Sequence, residues 1–366
     1  MPRPKRIRSR HLSRLIVALV LGGLVLLAAG VVVLAVNRPK PALAPLAMAP
    51  QASVSTAAEP ASNTVAPAWD TTPTPPPATA TPVPVPAPVA KPKPKPKPAA
   101  PPASKVEAYR GLGSWVDIYD DEAFDDPKGT IADMDKHGVK TLYIETGNSR
   151  SKGTLFKEDK LSEFISEAHA RDMKVVAWYL PDLKDLDKDY TRVKAAIEFK
   201  TSSGQKFDSF ALDIESGAVT PQSARNKALL KLSKQIREHT GDSYPLGAII
   251  PSPVGLSKKG GYWPDFPYTE LAGMYDVFVP MGYYTYHGDG ATLAYSDTIG
   301  NAKILRSKKG CSEVAIHMIG GISEKSSTGE VEAFVRGSND AGCVGASLYG
   351  WAGTKSAHWQ ELKNVR

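Results

Sequence analysis

Cysteine is nearly missing from this chain: Cys311 and Cys343 are the only two in 366 residues. That is too few for a disulfide scaffold, and their spacing has no metal-site character. No Gly-rich phosphate loop follows the first predicted strand, which argues against a doubly wound nucleotide-binding sheet. The His-rich spacing of a catalytic metal site is missing too, as is a Gly-x-Ser-x-Gly nucleophile elbow. Neither a metal nor a cofactor is expected.

Basic charge is lacking where a nucleic-acid-binding domain would need it. The net charge is +7, but residues 1–104 hold 12 Lys and Arg against only Glu59 and Asp70, which leaves 33 basic and 36 acidic side chains in the rest. Without a basic stripe interleaved with aromatics, no nucleic-acid partner is expected.

Large apolar residues are scarce between positions 37 and 104, where 20 of the 31 prolines fall. A segment of that composition has little to bury and reads as a disordered linker. The repeats Pro82-Val83-Pro84-Val85-Pro86 and Lys91-Pro92-Lys93-Pro94-Lys95-Pro96-Lys97-Pro98 favour polyproline II, which rises ~3.1 Å per residue. Such a stiff spacer suits carriage of a domain through or away from a cell wall. The Lys-Pro run offers a contact for anionic wall polymers, with a solvated spacer as the simpler account.

Residues 1–14 carry Arg3, Lys5, Arg6, Arg8, Arg10 and Arg14 without an acid, and 22 uncharged residues follow at 15–36. That length crosses a bilayer, and the basic tail marks the cytoplasmic side. The expectation is a single-pass cell-membrane protein with a cytoplasmic tail at 1–14, an anchor at 15–36, a linker at 37–104 and an extracellular domain at 105–366. A cleaved signal peptide is the rival reading, since Ala42-Leu43-Ala44 and Ala47-Met48-Ala49 resemble small-residue cleavage sites. Against it, signal cores usually run only about 7–15 residues.

From residue 105 strand-like and helix-like segments alternate. Strands are predicted at 114–119, 141–146, 174–180, 209–215, 245–251, 277–284, 313–320 and 344–351. Helices are predicted at 128–137, 161–171, 190–199, 221–240, 268–275, 293–308, 329–341 and 357–364. Eight such units in about 260 residues predict an α/β fold, the closed (β/α)8 TIM barrel. Cys311 and Cys343 then stand just before strands seven and eight, which predicts a disulfide outside the cell, with two buried free thiols as the alternative.

Barrel enzymes place chemistry at the carboxyl ends of their strands, so side-chain alternation decides which residues reach the lumen. On strand four Phe210, Leu212 and Ile214 must face the helices, which turns Ala211, Asp213 and Glu215 inward. The same argument turns Trp115, Asp117 and Tyr119 inward on strand one, and Glu145 at the end of strand two. It also turns His317 inward on strand seven, and Ser347, Tyr349 and Trp351 on strand eight. His317 lies mid-strand and reads as a hydrogen-bonded core residue. Trp178 and the loop Lys258-Lys259-Gly260-Gly261-Tyr262-Trp263-Pro264 are open to either a binding or a packing role. Paired acids beside flat aromatic faces suit glycosidic-bond cleavage: one carboxyl protonates the leaving oxygen, the other supports the cationic ring, and aromatics stack on sugars. The expected partner is therefore a carbohydrate, with Glu215, Asp213 and Glu145 as the candidate catalytic acids.

The segment Phe207-Asp208-Ser209-Phe210-Ala211-Leu212-Asp213-Ile214-Glu215 resembles the strand-four motif Asp-x-x-Asp-x-Asp-x-Glu of chitinase-like family-18 glycosidases. The resemblance implies that Glu215 is the general acid, Asp213 its helper and Asp208 the first acid; Ala211 stands where the motif has its second Asp. Val279-Pro280-Met281-Gly282-Tyr283-Tyr284 resembles the strand-six Met-x-Tyr element, and 345–351 resembles a last strand ending in a Trp at the sugar site. This implies that Tyr283 lies near the reacting sugar and Trp351 under it. Val176-Ala177-Trp178-Tyr179-Leu180-Pro181 stands where that family has Ser-x-Gly-Gly. More broadly, residues 110–360 resemble actinobacterial barrel proteins described as glycoside hydrolases. The resemblance implies a glycosidase, which with the predicted anchor gives a membrane-anchored enzyme acting on a polysaccharide or cell-envelope glycan. The residues leave a second reading open, a catalytically silent barrel that binds wall glycans or a protein partner.

Overall fold

Strands rich in β-branched and aromatic residues alternate along residues 101–258 and 260–366, the part of the chain that the computed structural model describes. They are β1 (Gly111–Val116), β2 (Thr141–Asn148), β3 (Lys174–Leu180), β4 (Ser209–Asp213), β5 (Leu246–Pro251), β6 (Val277–Met281), β7 (Ala315–Ile322) and β8 (Gly345–Tyr349). They pair in chain order, all parallel, and β1 closes on β8 through Gly111 opposite Gly345 and Leu112 opposite Ala346. One main helix follows each: α1 (Pro127–Lys136), α2 (Glu158–His169), α3 (Leu186–Glu198), α4 (Gln222–Thr240), α5 (Tyr268–Leu271), α6 (Ala291–Ser307), α7 (Thr328–Asp340) and α8 (Ser356–Leu362). This is the (β/α)8 barrel that the alternation predicts. The basic tail, the apolar run at 15–36 and the linker up to residue 100 lie outside the described residues. Among the described ones no helix is long and apolar enough to cross a membrane.

Local signals fix where helices begin. Asp126 caps α1 by accepting from the Gly129 amide, with Pro127 in the first turn where its missing N–H costs nothing. Ser327 and Glu330 form a reciprocal capping box at α7. The apolar faces then meet two separate cores. Leu142, Ile144, Val175, Ala177, Phe210, Leu212 and Ile214 pack outward against helix residues such as Ile131, Phe164 and Leu229. Each of the buried Leu, Ile, Val and Phe side chains contributes roughly 1.5–3 kcal/mol. Trp115, Tyr143, Val176, Trp178, Ala211, Ile249 and Val279 fill the lumen.

Tyr109, just ahead of β1, closes the floor of the barrel. Its hydroxyl lies 2.6 Å from Ser209 Oγ, and a side chain at Gly247 would put Cβ 2.5 Å from that same hydroxyl. Gly345 is equally constrained: a Cβ there would sit 2.3 Å from the Tyr109 carbonyl oxygen. Above this floor His317 is the core residue its position predicts, with Nδ1 2.8 Å from Tyr109 O and Nε2 3.0 Å from Ser347 Oγ. Burial pushes its imidazole down to about 4. With the floor filled, chemistry belongs at the carboxyl ends of the strands.

Three expectations change. The thiols of Cys311 and Cys343 are free. Cys311 Sγ turns toward the Tyr268 carbonyl on α5, the approach to β6, whereas Cys343 precedes β8 on the other side of β7, so the pair is not joined. Strand β8 ends at Tyr349, and Gly350, at φ 89°, swings the chain out of strand alternation. Trp351 therefore packs with the outer core and donates its indole N–H to Asp133 Oδ2 on α1 at 3.2 Å, away from the lumen. Tyr284, next to Tyr283 in the same Met-x-Tyr segment, faces the helices rather than the sugar site: Val279, Met281 and Tyr283 turn into the lumen, while Tyr284 packs against Phe334 of α7 and pairs its hydroxyl with Ser326 Oγ at 2.9 Å.

Candidate active site at the carboxyl ends of the strands

Phe210, Leu212 and Ile214 are each at most 1 % exposed in the outer core, so alternation delivers Asp213 and Glu215 to the barrel mouth as predicted. Asp213 ends β4 and is 7 % exposed; its Oδ1 is shielded and has no hydrogen-bond partner. Burial holds its carboxyl well above the usual range, and the negative charges of Glu215 and Glu145 push it further. Glu215, half-buried in the loop beyond β4, is also raised by burial. Carboxyls this close in a low-dielectric site cannot all ionise together, so protons are retained among them.

Glu145 supplies the third acid. It is 2 % exposed, and its Oε2 accepts from the Ile118 amide at 3.1 Å while Oε1 accepts from Asn148 Nδ2 at 3.0 Å. Burial outweighs these two bonds and, with the charges of Asp117 and Glu215, raises the carboxyl to about 8. Asn148 reaches it because the β2–β3 register slips between Glu145 and Gly147, leaving Thr146 as an extra residue that returns Asn148 to the lumen face. The bulge breaks the simple alternation by which a sequence is read, so Asn148 could not be found that way.

Asp117 and Tyr119 lie in the loop beyond β1, which ends at Val116. Asp117 accepts from Tyr349 Oη at 3.1 Å and from the Tyr119 amide at 2.8 Å. Tyr119 Oη accepts from Asn148 Nδ2 at 3.1 Å, linking the Asp117 loop to Glu145. Tyr283 packs with the lumen core, its ring edge-on to Tyr349 at 5.9 Å and to Tyr286 at 5.8 Å. Burial raises the Tyr283 phenol, followed by the charges of Glu215 and Asp213. Trp178 lies edge-on to Trp115 at 6.0 Å, and its Nε1 is shielded without a partner.

The mouth thus brings together Glu215, Asp213, Glu145, Asp117, Tyr119, Trp178, Tyr283 and Tyr349, and not Trp351 or Tyr284. Asp208, the first acid of the motif, sits at the opposite end of β4, where it accepts from the Val175 amide at 2.8 Å and pairs with His169 and Lys174. Two more tyrosines join the site, Tyr262 from the loop at 258–264 whose role the sequence left open and Tyr286, which the sequence did not single out. Tyr262, in the loop after β5, donates to the Glu215 carbonyl at 3.4 Å. Tyr286 is 45 % exposed, and Tyr119 is 50 % exposed; these are the exposed large apolar side chains of the described residues, and both rim this mouth. Among the described residues no group of three His, Cys, Asp or Glu is arranged to hold a metal ion.

No protein-family model and no curated protein matches the sequence. Solved structures do match in shape. A chitinase from Bacteroides thetaiotaomicron superposes with a TM-score of 0.52 at 12% identity, over 70% of this chain and 95% of that one. An endo-1,4-β-mannanase from Rhizomucor miehei gives 0.54 at 9% identity, over 70% and 94%. The Bacillus cereus spore cortex-lytic enzyme SleL gives 0.52 at 10% identity, over 70% and 74%. At such identities the likeness is one of fold: the chain shares the barrel of these enzymes.

Proposed function

We propose that this protein is a glycoside hydrolase in which Glu215 protonates the leaving oxygen and Asp213 holds the pKa and orientation of Glu215. The observation that carries the reading is the pair itself: two acids two residues apart, turned into a mouth rimmed by exposed tyrosines, both pushed toward their protonated forms by burial. A carboxyl shifted toward its protonated form is what general-acid catalysis needs. The shape neighbours are named for chitinase, mannanase and cortex-lytic activities, which supports a polysaccharide or cell-envelope glycan as substrate. On a sugar without a 2-acetamido group a second carboxylate must serve as nucleophile or base, and Glu145 is that group once it has released its proton. The basic tail, the apolar run at 15–36 and the Pro-rich stretch support a membrane tether that holds the barrel outside the cell.

A second reading, a silent glycan-binding barrel, draws on Ala211 in place of the motif's second Asp and on the missing Ser-x-Gly-Gly. Comparing the parent with Glu215→Gln on a panel of wall and storage glycans separates the two. Hydrolysis by the parent that vanishes in the variant supports the enzyme. Binding without hydrolysis in both proteins supports the silent barrel.

A further inference from the structure

Arg225 sits one turn into α4 and is 6 % exposed, yet none of the ion pairs among the described residues involves it. A buried cation with no carboxylate partner is costly unless its donors are used. Here they are used on backbone: Nε donates to Val219 O at 3.1 Å, Nη2 to Gly217 O at 3.3 Å and Nη1 to Tyr262 O at 3.3 Å. Two of these carbonyls lie two and four residues beyond Glu215; the third belongs to the loop after β5. The guanidinium also lies over the Trp263 ring, 4.7 Å from its centroid. Trp263 is fully buried and donates to Asn226 Oδ1 at 2.6 Å, and Asn226 Nδ2 donates to Asp265 O at 2.7 Å. The start of α4 therefore stitches two loops together, one carrying Glu215 and the other carrying Tyr262.

We infer that Arg225 is the positioning residue of Glu215, and that it acts by clamping the Glu215 loop against the loop whose Tyr262 hydroxyl donates to the Glu215 carbonyl. The inference rests on the reading of Glu215 as proton donor. The groups that share its surroundings are Asp213 on β4, Glu145 on β2, and Tyr262, Tyr283 and Tyr286 from the loops beyond β5 and β6. With the clamp in place, these groups and the two joined loops leave Glu215 only half-exposed to water. When it opens, the carboxyl gains solvent and loses its fixed direction.

The test uses the full chain with carboxyl-labelled glutamate, the Glu215 resonance being assigned by its loss in Glu215→Gln. Arg225→Lys keeps the charge and removes the forked donors. The expected result is a Glu215 titration midpoint displaced toward the ordinary glutamate value, and kcat on the glycan hydrolysed by the parent lowered roughly 100-fold with KM little changed. A folded Arg225→Lys chain with the parent's midpoint and kcat overturns the inference. Should that variant not fold, Tyr262→Phe decides, since it keeps the carbonyl that Arg225 holds. A kcat lowered about tenfold at unchanged KM supports the clamp, and an unchanged kcat together with an unmoved Glu215 resonance overturns it. If the parent hydrolyses no glycan, the glycosidase reading fails, while the titration still decides whether Arg225 positions Glu215.

Discussion

Asn148 and Glu145 both belong to β2, three positions apart, and the bulge between them brings the Asn148 amide to within 3.0 Å of the Glu145 carboxylate. The same Nδ2 reaches Tyr119 Oη at 3.1 Å, so one side chain ties an exposed aromatic at the rim to a buried acid below it. Glu145 holds two donated hydrogen bonds and still favours its proton, because burial and the neighbouring charges of Asp117 and Glu215 outweigh them.

That balance sets a sign for stability. The folded state keeps the Glu145 proton up to about 8, whereas an unfolded chain releases it near 4.5. The stabilising contribution is therefore complete below about 4.5 and is lost as pH rises to about 8. Glu145→Gln, always neutral, should gain on the parent by on the order of 1–5 kcal/mol across that window. Urea unfolding at several pH values reads the difference; a gap that does not change with pH contradicts the burial of an ionisable Glu145.

His317 should act in the opposite direction. Its folded-state value is about 4 against 6.5 unfolded, so its contribution is complete above 6.5 and is lost as pH falls toward 4. His317→Gln should remove that acid-side slope and cost about 1–3 kcal/mol by disturbing the bonds to Tyr109 and Ser347. Unfolding measured on either side of pH 6.5 checks it, an unaltered slope being the contrary result.

Tyr119 and Tyr286 rim the mouth without touching the acid pair through any side-chain hydrogen bond. If they carry sugar rings remote from the reacting bond, Tyr119→Ala and Tyr286→Ala should each raise KM about two- to tenfold, with kcat nearly constant. Steady-state kinetics on the hydrolysed glycan decides; a fall in kcat at constant KM would place them in the reacting subsite instead.

Trp351 and Tyr284 should behave as framework. Trp351→Phe removes the bond to Asp133 and Tyr284→Phe the bond to Ser326, each costing about 1 kcal/mol of stability and leaving glycan binding and hydrolysis at parental levels. Loss of binding in a variant of parental stability would return that residue to the site.

What was legible in the sequence follows strand geometry closely. Apolar residues at Phe210, Leu212 and Ile214 leave one inward face for Asp213 and Glu215, and Leu142 and Ile144 do the same for Glu145. Legibility stops where alternation stops. Gly350 at φ 89° turns the chain, so Trp351 leaves the face that strand parity assigned it. The bulge at Thr146 hides Asn148, and the contact of Tyr262 with the Glu215 carbonyl joins two loops, which no strand or helix periodicity relates. The cysteines equivalent in position are not equivalent in direction, since Cys311 Sγ turns toward the Tyr268 carbonyl of α5.

The most direct measurement of the central claim compares two substrates of one sugar in the parent and in Glu215→Gln: the natural oligosaccharide and a dinitrophenyl glycoside whose leaving group needs no proton. If Glu215 is the general acid, the variant should lose roughly 100- to 10,000-fold in kcat/KM on the natural linkage and remain near parental on the activated one. Equal losses on both substrates, or none on either, would contradict the account.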